Sequence, residues 1–294
     1  MLTMSSYRTI DGAAMAGSRS IEGPPGYTSN GTSDHAYVDI PFWTKGGEAM
    51  LHAKKVALIT GANKGIGFEI ARQLGAQGMI VLAGARDRGR GEEAAKRLQA
   101  EGIEASVVHI DVTDQAMIES AASYIDETYG KLDVLVNNAG VSPQEGRVLP
   151  SELAIEVFRA TYETNVFGVF AVTKAMLPLL RRSDAGRVVN MSSPMGSLNL
   201  NSDPDSFYIR MPPLLAYNSS KTAVNAITVF FANELRNTSI KVNAVSPGYV
   251  ATDLNDHSGM LTPQQGAKVP VTFATLPADG PTGGFFEENG AVPW

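Results

Sequence analysis

A run of five apolar or β-branched residues, Val56-Ala57-Leu58-Ile59-Thr60, passes directly into Gly61-Ala62-Asn63-Lys64-Gly65-Ile66-Gly67 and then into Phe68-Glu69-Ile70-Ala71. The unbroken apolar character suits a strand covered on both faces, as in a parallel sheet held between helical layers. Glycines at G-x-x-x-G-x-G allow a tight turn and close backbone approach, and the free amides opening the following helix attract a pyrophosphate. Gly61, Asn63, Lys64, Gly65, Ile66 and Gly67 are therefore expected to cradle a dinucleotide. Glycines in such a turn also serve helix packing, and it is their place after a buried first strand that lifts the pattern above that use.

From Lys54 onward, short β-branched runs alternate with amphipathic stretches, the pattern of repeated β-α units. Strands are expected at Val56 to Thr60, Met79 to Ala83, Ala105 to Ile110, Leu132 to Asn137, Arg187 to Met191 and Ile240 to Ser246. Helical spacing runs between them, for example Ile66, Ile70 and Leu74, or Ile118, Ala121, Ala122 and Ile125. With right-handed crossovers the expected product is α/β: a single doubly wound Rossmann-type domain over 54–294, a parallel sheet flanked by helices. Residues 1–53 differ, with Gly23-Pro24-Pro25-Gly26 and no sustained apolar period. They read as an irregular N-terminal arm, either docked through Tyr37 and Phe42-Trp43 on the body or a neighbouring subunit, or a mobile leader.

Composition narrows the function. A net charge of −6 gives no basic field for nucleic acid or anionic lipid, so neither partner is expected. Cysteine is absent, which removes disulfides and thiolate chemistry and suits a reducing compartment. His35, His52, His109 and His257 show no metal-ligand spacing, so no metal is expected. No run approaches the roughly 18 apolar residues of a membrane span, and Met1 to Asp11 lacks the order of a signal peptide. A cytoplasmic protein is expected.

Tyr217-Asn218-Ser219-Ser220-Lys221 puts a phenol and an ammonium four residues apart, on one face of a helix running to Leu235. A free tyrosine has a pKa near 10, and a neighbouring Lys⁺ with a cationic cofactor ring favours the phenolate and makes a usable acid/base. Upstream, Asn190-Met191-Ser192-Ser193 ends the fifth strand, where parallel sheets place ligands.

With Thr60 to Gly67, Asn137-Asn138-Ala139-Gly140, Tyr217 to Lys221 and Ser246-Pro247-Gly248 in this order, the chain from Lys54 to Trp294 resembles the short-chain dehydrogenase/reductase family. The resemblance implies that Asp111-Val112 contacts adenine and that Asn138, Ala139 and Gly140 stabilise the sheet beside the cofactor. It also implies that Pro247, Gly248, Val250 and Thr252 lie in a loop closing over cofactor and substrate. Ser193 matches the family's catalytic serine, with Ser192 as its rival. Asn165 matches the asparagine that holds a water in a proton relay behind Lys221, a role compatible with an ordinary satisfied buried amide. Thr262 to Ala267, the stretch Gly280 to Phe286 and Pro293-Trp294 look like the carbonyl reductase branch, which implies a small-molecule ketone, aldehyde or quinone as substrate. The segment Ser197 to Leu215 is longer than the family's shortest spacing and reads as a flap over the pocket, or as an obstacle to helix-paired dimers. Monomer and homo-oligomer both stay open. Met195, Tyr249 and His257 are candidate pocket residues, or packing and surface.

Cofactor choice is electrostatic. A site for NAD places a carboxylate at the end of the second strand, whereas a 2′-phosphate needs that acid absent and cations present. Gly84 is assigned to that position, Ala85-Arg86 follow, and Lys64 lies in the loop, so NADP(H) is expected, with Arg86 and Lys64 on the phosphate. A shift of register would instead make Asp87 the ribose acceptor. Three functions follow: an NADPH-dependent carbonyl reductase, an NADP-dependent alcohol dehydrogenase working oxidatively, and a non-catalytic NADP(H)-binding regulator.

Overall fold

The computed structural model describes residues 54–294. The arm, with Tyr37, Phe42, Trp43, His35 and His52, lies outside the described residues. Eight strands form one sheet: β1 Val56–Thr60, β2 Ile80–Ala85, β3 Ala105–His109, β4 Val134–Asn137, β5 Arg187–Met191, β6 Lys241–Val245, β7 Phe285–Glu287 and β8 Gly290–Ala291. Their order is β3-β2-β1-β4-β5-β6-β7-β8, parallel except for β8, which turns back along β7. The helices are α1 Gly65–Ala76, α2 Arg88–Ala100, α3 Gln115–Tyr129, α4 Ile155–Tyr162, α5 Gly168–Leu180, α6 Leu198–Ser202, α7 Leu215–Glu234, α8 Pro263–Gly266 and α9 Lys268–Ala274.

The expected doubly wound sandwich is the observed one. All five residues of β1 are buried, and alternate side chains enter different cores, because successive Cβ atoms point to opposite faces of a strand. Ala57 and Ile59 pack with Phe68, Ile70 and Leu74 of α1 and Val271 of α9, while Val56 and Leu58 pack with Ile118 and Ile125 of α3 and Val172 and Met176 of α5. Order reverses between β1 and β4, and this switch point opens a crevice at the carboxyl edge of the strands.

Several expected boundaries move. Strand β2 starts at Ile80 and runs on to Ala85 rather than stopping at Ala83, β4 begins at Val134, and β3 and β6 end one residue early. The residue closing β2 is therefore Ala85, not Gly84. A Cβ on Gly84 would stand 2.8 Å from the Ile59 main-chain oxygen, so that position has no room for a carboxylate. β7 and β8, too short to carry a period-2 signal, were not among the expected strands.

Among the described residues no helix is long and apolar enough to cross a membrane, and no cluster of potential metal ligands is present.

Candidate active site

The glycine loop is built for a ligand at its helix end. Gly61 and Gly65 adopt positive φ values of 67° and 57°, which other residues enter only with strain. Gly67 answers a different need, since a Cβ there would meet the Gly61 oxygen at 2.4 Å and the Asn138 Nδ2 at 2.5 Å. Lys64 occupies the N-cap of α1 without a side-chain capping bond, and the first turn of α1 contains no acid. The orphan amides of that turn thus have no side-chain partner and carry the positive end of the helix dipole. An anionic pyrophosphate fits there.

Asn138 braces this loop. Its Nδ2 donates to the Thr60 oxygen at 2.8 Å, while the amides of Asn138 and Ala139 donate to Thr60 Oγ1 at 3.0 Å. Behind it, Asn137 donates to Asn190 and Thr173, and Asn190 to Thr228, a buried polar chain tying β4, β5, α5 and α7 together. Asp111 accepts from the amide and hydroxyl of Thr113 in a local turn, and Val112 packs on Gly168 at the start of α5.

At the outer end of the loop a cleft of about 260 Å³ is lined by Asn63, Lys64, Arg90, Glu93, Ala94 and Arg97. Three cations and one carboxylate line it, with Asp253 paired to Lys64, Asp87 3.8 Å from the Arg90 guanidinium and Arg97 lying over the Phe68 ring, so the cations are available to a phosphate once the two ion pairs open. Arg90 and Arg97 were not among the expected residues: on sequence alone they read as ordinary charges of an exposed helix. Arg86 stands directly after β2, and its main-chain oxygen is hydrogen-bonded to His109 at 3.0 Å. Asp87 is the N-cap of α2, its carboxylate accepting from the Arg90 amide at 2.9 Å. That capping role engages one oxygen of the acid that was the alternative ribose acceptor, and the other lies 3.8 Å from the Arg90 guanidinium.

The catalytic candidates converge from β5, α7 and the α4–α5 junction. Ser192 is buried and donates to Asn225 Oδ1 at 2.6 Å, so its hydroxyl belongs to the core. Ser193 is partly exposed, its hydroxyl accepting from the Met195 amide at 3.2 Å, and that hydroxyl is near enough to the Tyr217 phenol to work against the burial that pushes the phenol up to about 12. Lys221, only 6% exposed, donates to the Met191 oxygen at 2.9 Å and lies 5.5 Å from the centre of the Tyr217 ring. Burial lowers its ammonium to about 8. In the protein alone, burial is thus the largest influence on both groups, raising the phenol and lowering the ammonium.

Asn165 sits in a π-helical turn, Glu163–Phe167, between α4 and α5. Such turns recur at functional sites because they re-aim one side chain out of the helical register. Its Oδ1 accepts from the Val141 amide at 2.8 Å, and its Nδ2 donates to the Val141 oxygen at 2.9 Å and to Ser220 Oγ at 3.0 Å. A Cβ on Gly140 would stand 3.4 Å from Asn165 Oδ1 and 3.7 Å from Lys221 Nζ, so both polar ends border that glycine.

The chain after β6 folds back toward the glycine loop. Gly248 has φ 79°, buried Val250 packs against Gly266, and the Thr252 methyl lies 3.7 Å from where a Cβ on Gly65 would be. Three bonds pin the loop across the crevice. Asp253 accepts from Lys64 and lies 2.9 Å from His257 Nε2, and Asp256 accepts from Gln144 and Arg147 of the chain after β4. Asp256 and His257 both take left-handed φ values, 54° and 58°. Tyr249 is half-exposed and hydrogen-bonded to Ser258 at 2.5 Å.

A larger groove of about 560 Å³ is lined by Met195, Leu198, Leu215, Asn218, Thr222 and Ala226, among others. On α7 these residues lie on the side opposite Tyr217 and Lys221. The segment 197–214 thus walls the outer face of α7 as well as joining Ser193 to Tyr217.

The short chain dehydrogenase family model matches residues 55–260. Carbonyl reductase (NADPH) 1 of Mus musculus is 35% identical, over 83% of this chain and 100% of its own. The structure of salutaridine reductase from Papaver somniferum superposes with a TM-score of 0.69 at 32% identity, covering 80% of this chain and 100% of that one. For NADPH-bound carbonyl reductase from chicken fatty liver the TM-score is 0.71 at 25% identity, with coverages of 82% and 99%.

Proposed function

The chain belongs to the short-chain dehydrogenase/reductase family of oxidoreductases, and from that premise we propose that it reduces the carbonyl of a small ketone, aldehyde or quinone with NADPH. The observation that carries this reading is the meeting of Ser193, Tyr217 and Lys221 at the carboxyl edge, beside a glycine loop whose helix amides lack a side-chain cap.

In this reading Gly61 to Gly67 and the first turn of α1 hold the pyrophosphate, and Lys64, Arg86 and Arg90 hold the 2′-phosphate. Asp111, Val112, Asn138, Ala139, Gly140, Pro247, Gly248, Val250 and Thr252 complete the walls. When bound, the nicotinamide supplies a hydride and, once oxidised, a positive ring. Ser193 donates its hydroxyl hydrogen to the carbonyl oxygen and stabilises the charge that develops there. Tyr217 delivers the proton to that oxygen as general acid. Lys221 fixes the ribose and lowers the phenol once a second positive charge stands nearby, and a water beside Asn165 and Lys221 returns the proton. The protein contributes orientation and electrostatics, which supply most of the rate. Support for NADPH over NADH comes from the absence of an acid at Ala85, the capping role of Asp87, the cations around Lys64, and the NADPH in the names of the two carbonyl reductases. The lack of cysteine suits work in the cytoplasm.

The test is NADPH and NADH consumption with a panel of ketones, aldehydes and diketones, run in both directions. Reduction with a clear NADPH preference is expected. Binding without consumption would leave a regulator, and turnover only of alcohols would leave an oxidative dehydrogenase. A preference for NADH would remove the cofactor assignment, and Arg86→Asp should move the preference that way.

A further inference from the structure

The segment 197–214 leaves a turn, Pro194–Gly196, that is itself bonded to α7 by Thr222, and it runs into the first turn of α7, which carries Tyr217 and has no side-chain N-cap, so whatever holds the segment also steadies that turn. Its own interior is polar and short-ranged. Helix α6 is five residues long, and it relies on the Ser197 hydroxyl accepting from the Leu200 amide at 3.1 Å. Asn201 adds bonds from its Nδ2 to the Met195 and Ser197 oxygens at 3.0 and 2.7 Å, and a further hold comes from residues beyond β6. The Trp294 main-chain oxygen accepts from the Asn199 amide at 2.9 Å, satisfying one of the orphan donors of the first turn of α6. The Trp294 indole stacks on Phe285 of β7, ring centres 6.0 Å apart and planes 23° apart. Leu200 of α6 packs on a separate small core made of Phe285, Val292 and Ala244. Further along the segment, the charge of Glu287 on β7 bears on Tyr208, whose phenol is raised chiefly by burial and then by that carboxylate.

We propose that Trp294, acting with the β7–β8 hairpin, is a positioning residue that clamps the 197–214 segment and thereby steadies the first turn of α7, which carries Tyr217. This rests on the catalytic reading of Tyr217. Trp294 reaches no reacting group. It acts through Phe285 and α6, and the apolar area of its ring on Phe285 keeps its oxygen in place for Asn199. Losing the ring loosens α6 without touching the glycine loop, which lies across the sheet on β1.

The experiment compares wild type with Trp294→Ala, Trp294→Phe, Leu200→Ala and the Trp294→Ala/Leu200→Ala double variant, using the full chain. Chymotrypsin reads the clamp directly, because Phe207 in the segment is 67% exposed. Cleavage at Phe207 is expected to speed up about tenfold in Trp294→Ala, with recovery in Trp294→Phe. The double variant should cleave no faster than the faster single, since both lesions open one contact. With a bulky ketone, KM should rise about tenfold while the NADPH dissociation constant stays within about twofold. Unchanged cleavage and KM in both single variants, or a Trp294→Phe protein as loose as Trp294→Ala, would overturn the clamp. A wild type without turnover would defeat the catalytic reading alone, and the cleavage rates would still decide the clamp. Should Trp294→Ala fail to fold, Leu200→Ala carries the same comparison from the other side of Phe285.

Discussion

Lys221 donates its buried amine to the main-chain oxygen of Met191 at 2.9 Å, a bond that ties α7 to the end of β5 and stations the lysine beneath Tyr217. Holding a cation there without an acid beside it is costly, and burial lowers the group to about 8. The unfolded chain keeps that proton up to about pH 10.4, so between the two values the unfolded state binds more protons and stability rises with pH. In the cofactor-free protein we expect stability to climb from pH 8 toward pH 10 at up to about 1.4 kcal/mol per pH unit. Lys221→Met should flatten that rise, be about as stable as wild type at pH 7, and lose turnover. Denaturant melts across this range check it; an equal rise in Lys221→Met would exclude Lys221 as its source.

Tyr217→Phe removes the proton donor and keeps the ring on its helix face. Turnover should fall by about 10²–10⁴-fold, while NADPH affinity stays near the wild-type value. Stopped-flow turnover and fluorescence titration separate the two, and a variant with half the wild-type rate would refute the assignment.

Arg90 lines the cleft beside Lys64, with its guanidinium 3.8 Å from the Asp87 carboxylate. Arg90→Ala should raise KM for NADPH by about tenfold and leave KM for NADH unchanged, because only the 2′-phosphate requires the charge. An equal loss with both cofactors would mean that α2 had moved instead.

Asp253 holds Lys64 in the cofactor-free protein, and this ion pair keeps the Asp253 carboxyl below its usual range. A carboxyl depressed in this way contributes above its ordinary pKa and stops contributing as the pH falls through its folded value. Asp253→Asn should free Lys64 and tighten NADPH about two- to threefold at low salt, with no gain at high salt, since both partners are exposed and screened. Affinity that is unchanged at low salt would show that the pair opens without cost.

What the sequence made legible was local. The glycine loop, the strands β1 and β5, and the Tyr217–Lys221 pair are fixed by spacing within one turn or one strand, and each stands where the spacing puts it. What stayed hidden depends on chain segments far apart. Nothing near Arg90 distinguishes it from Arg88; only the approach of α2 to the glycine loop does. The choice between Ser192 and Ser193 needed Asn225, a residue on another helix. The π-helical turn at Asn165 keeps apolar residues at nearly helical spacing, so no periodicity betrays it. Strand β7 exists because Phe285 and Phe286 find β6, not because three residues have a pattern.

Asp87 has one further bearing, on how such an enzyme can change its diet of coenzymes. Its carboxylate already begins a helix, so recruiting it to grip a ribose would leave the start of α2 ragged. Under the proposed NADPH preference, a new acid beside β2, as in Arg86→Asp, would leave that helix start intact while changing the charge that faces the coenzyme.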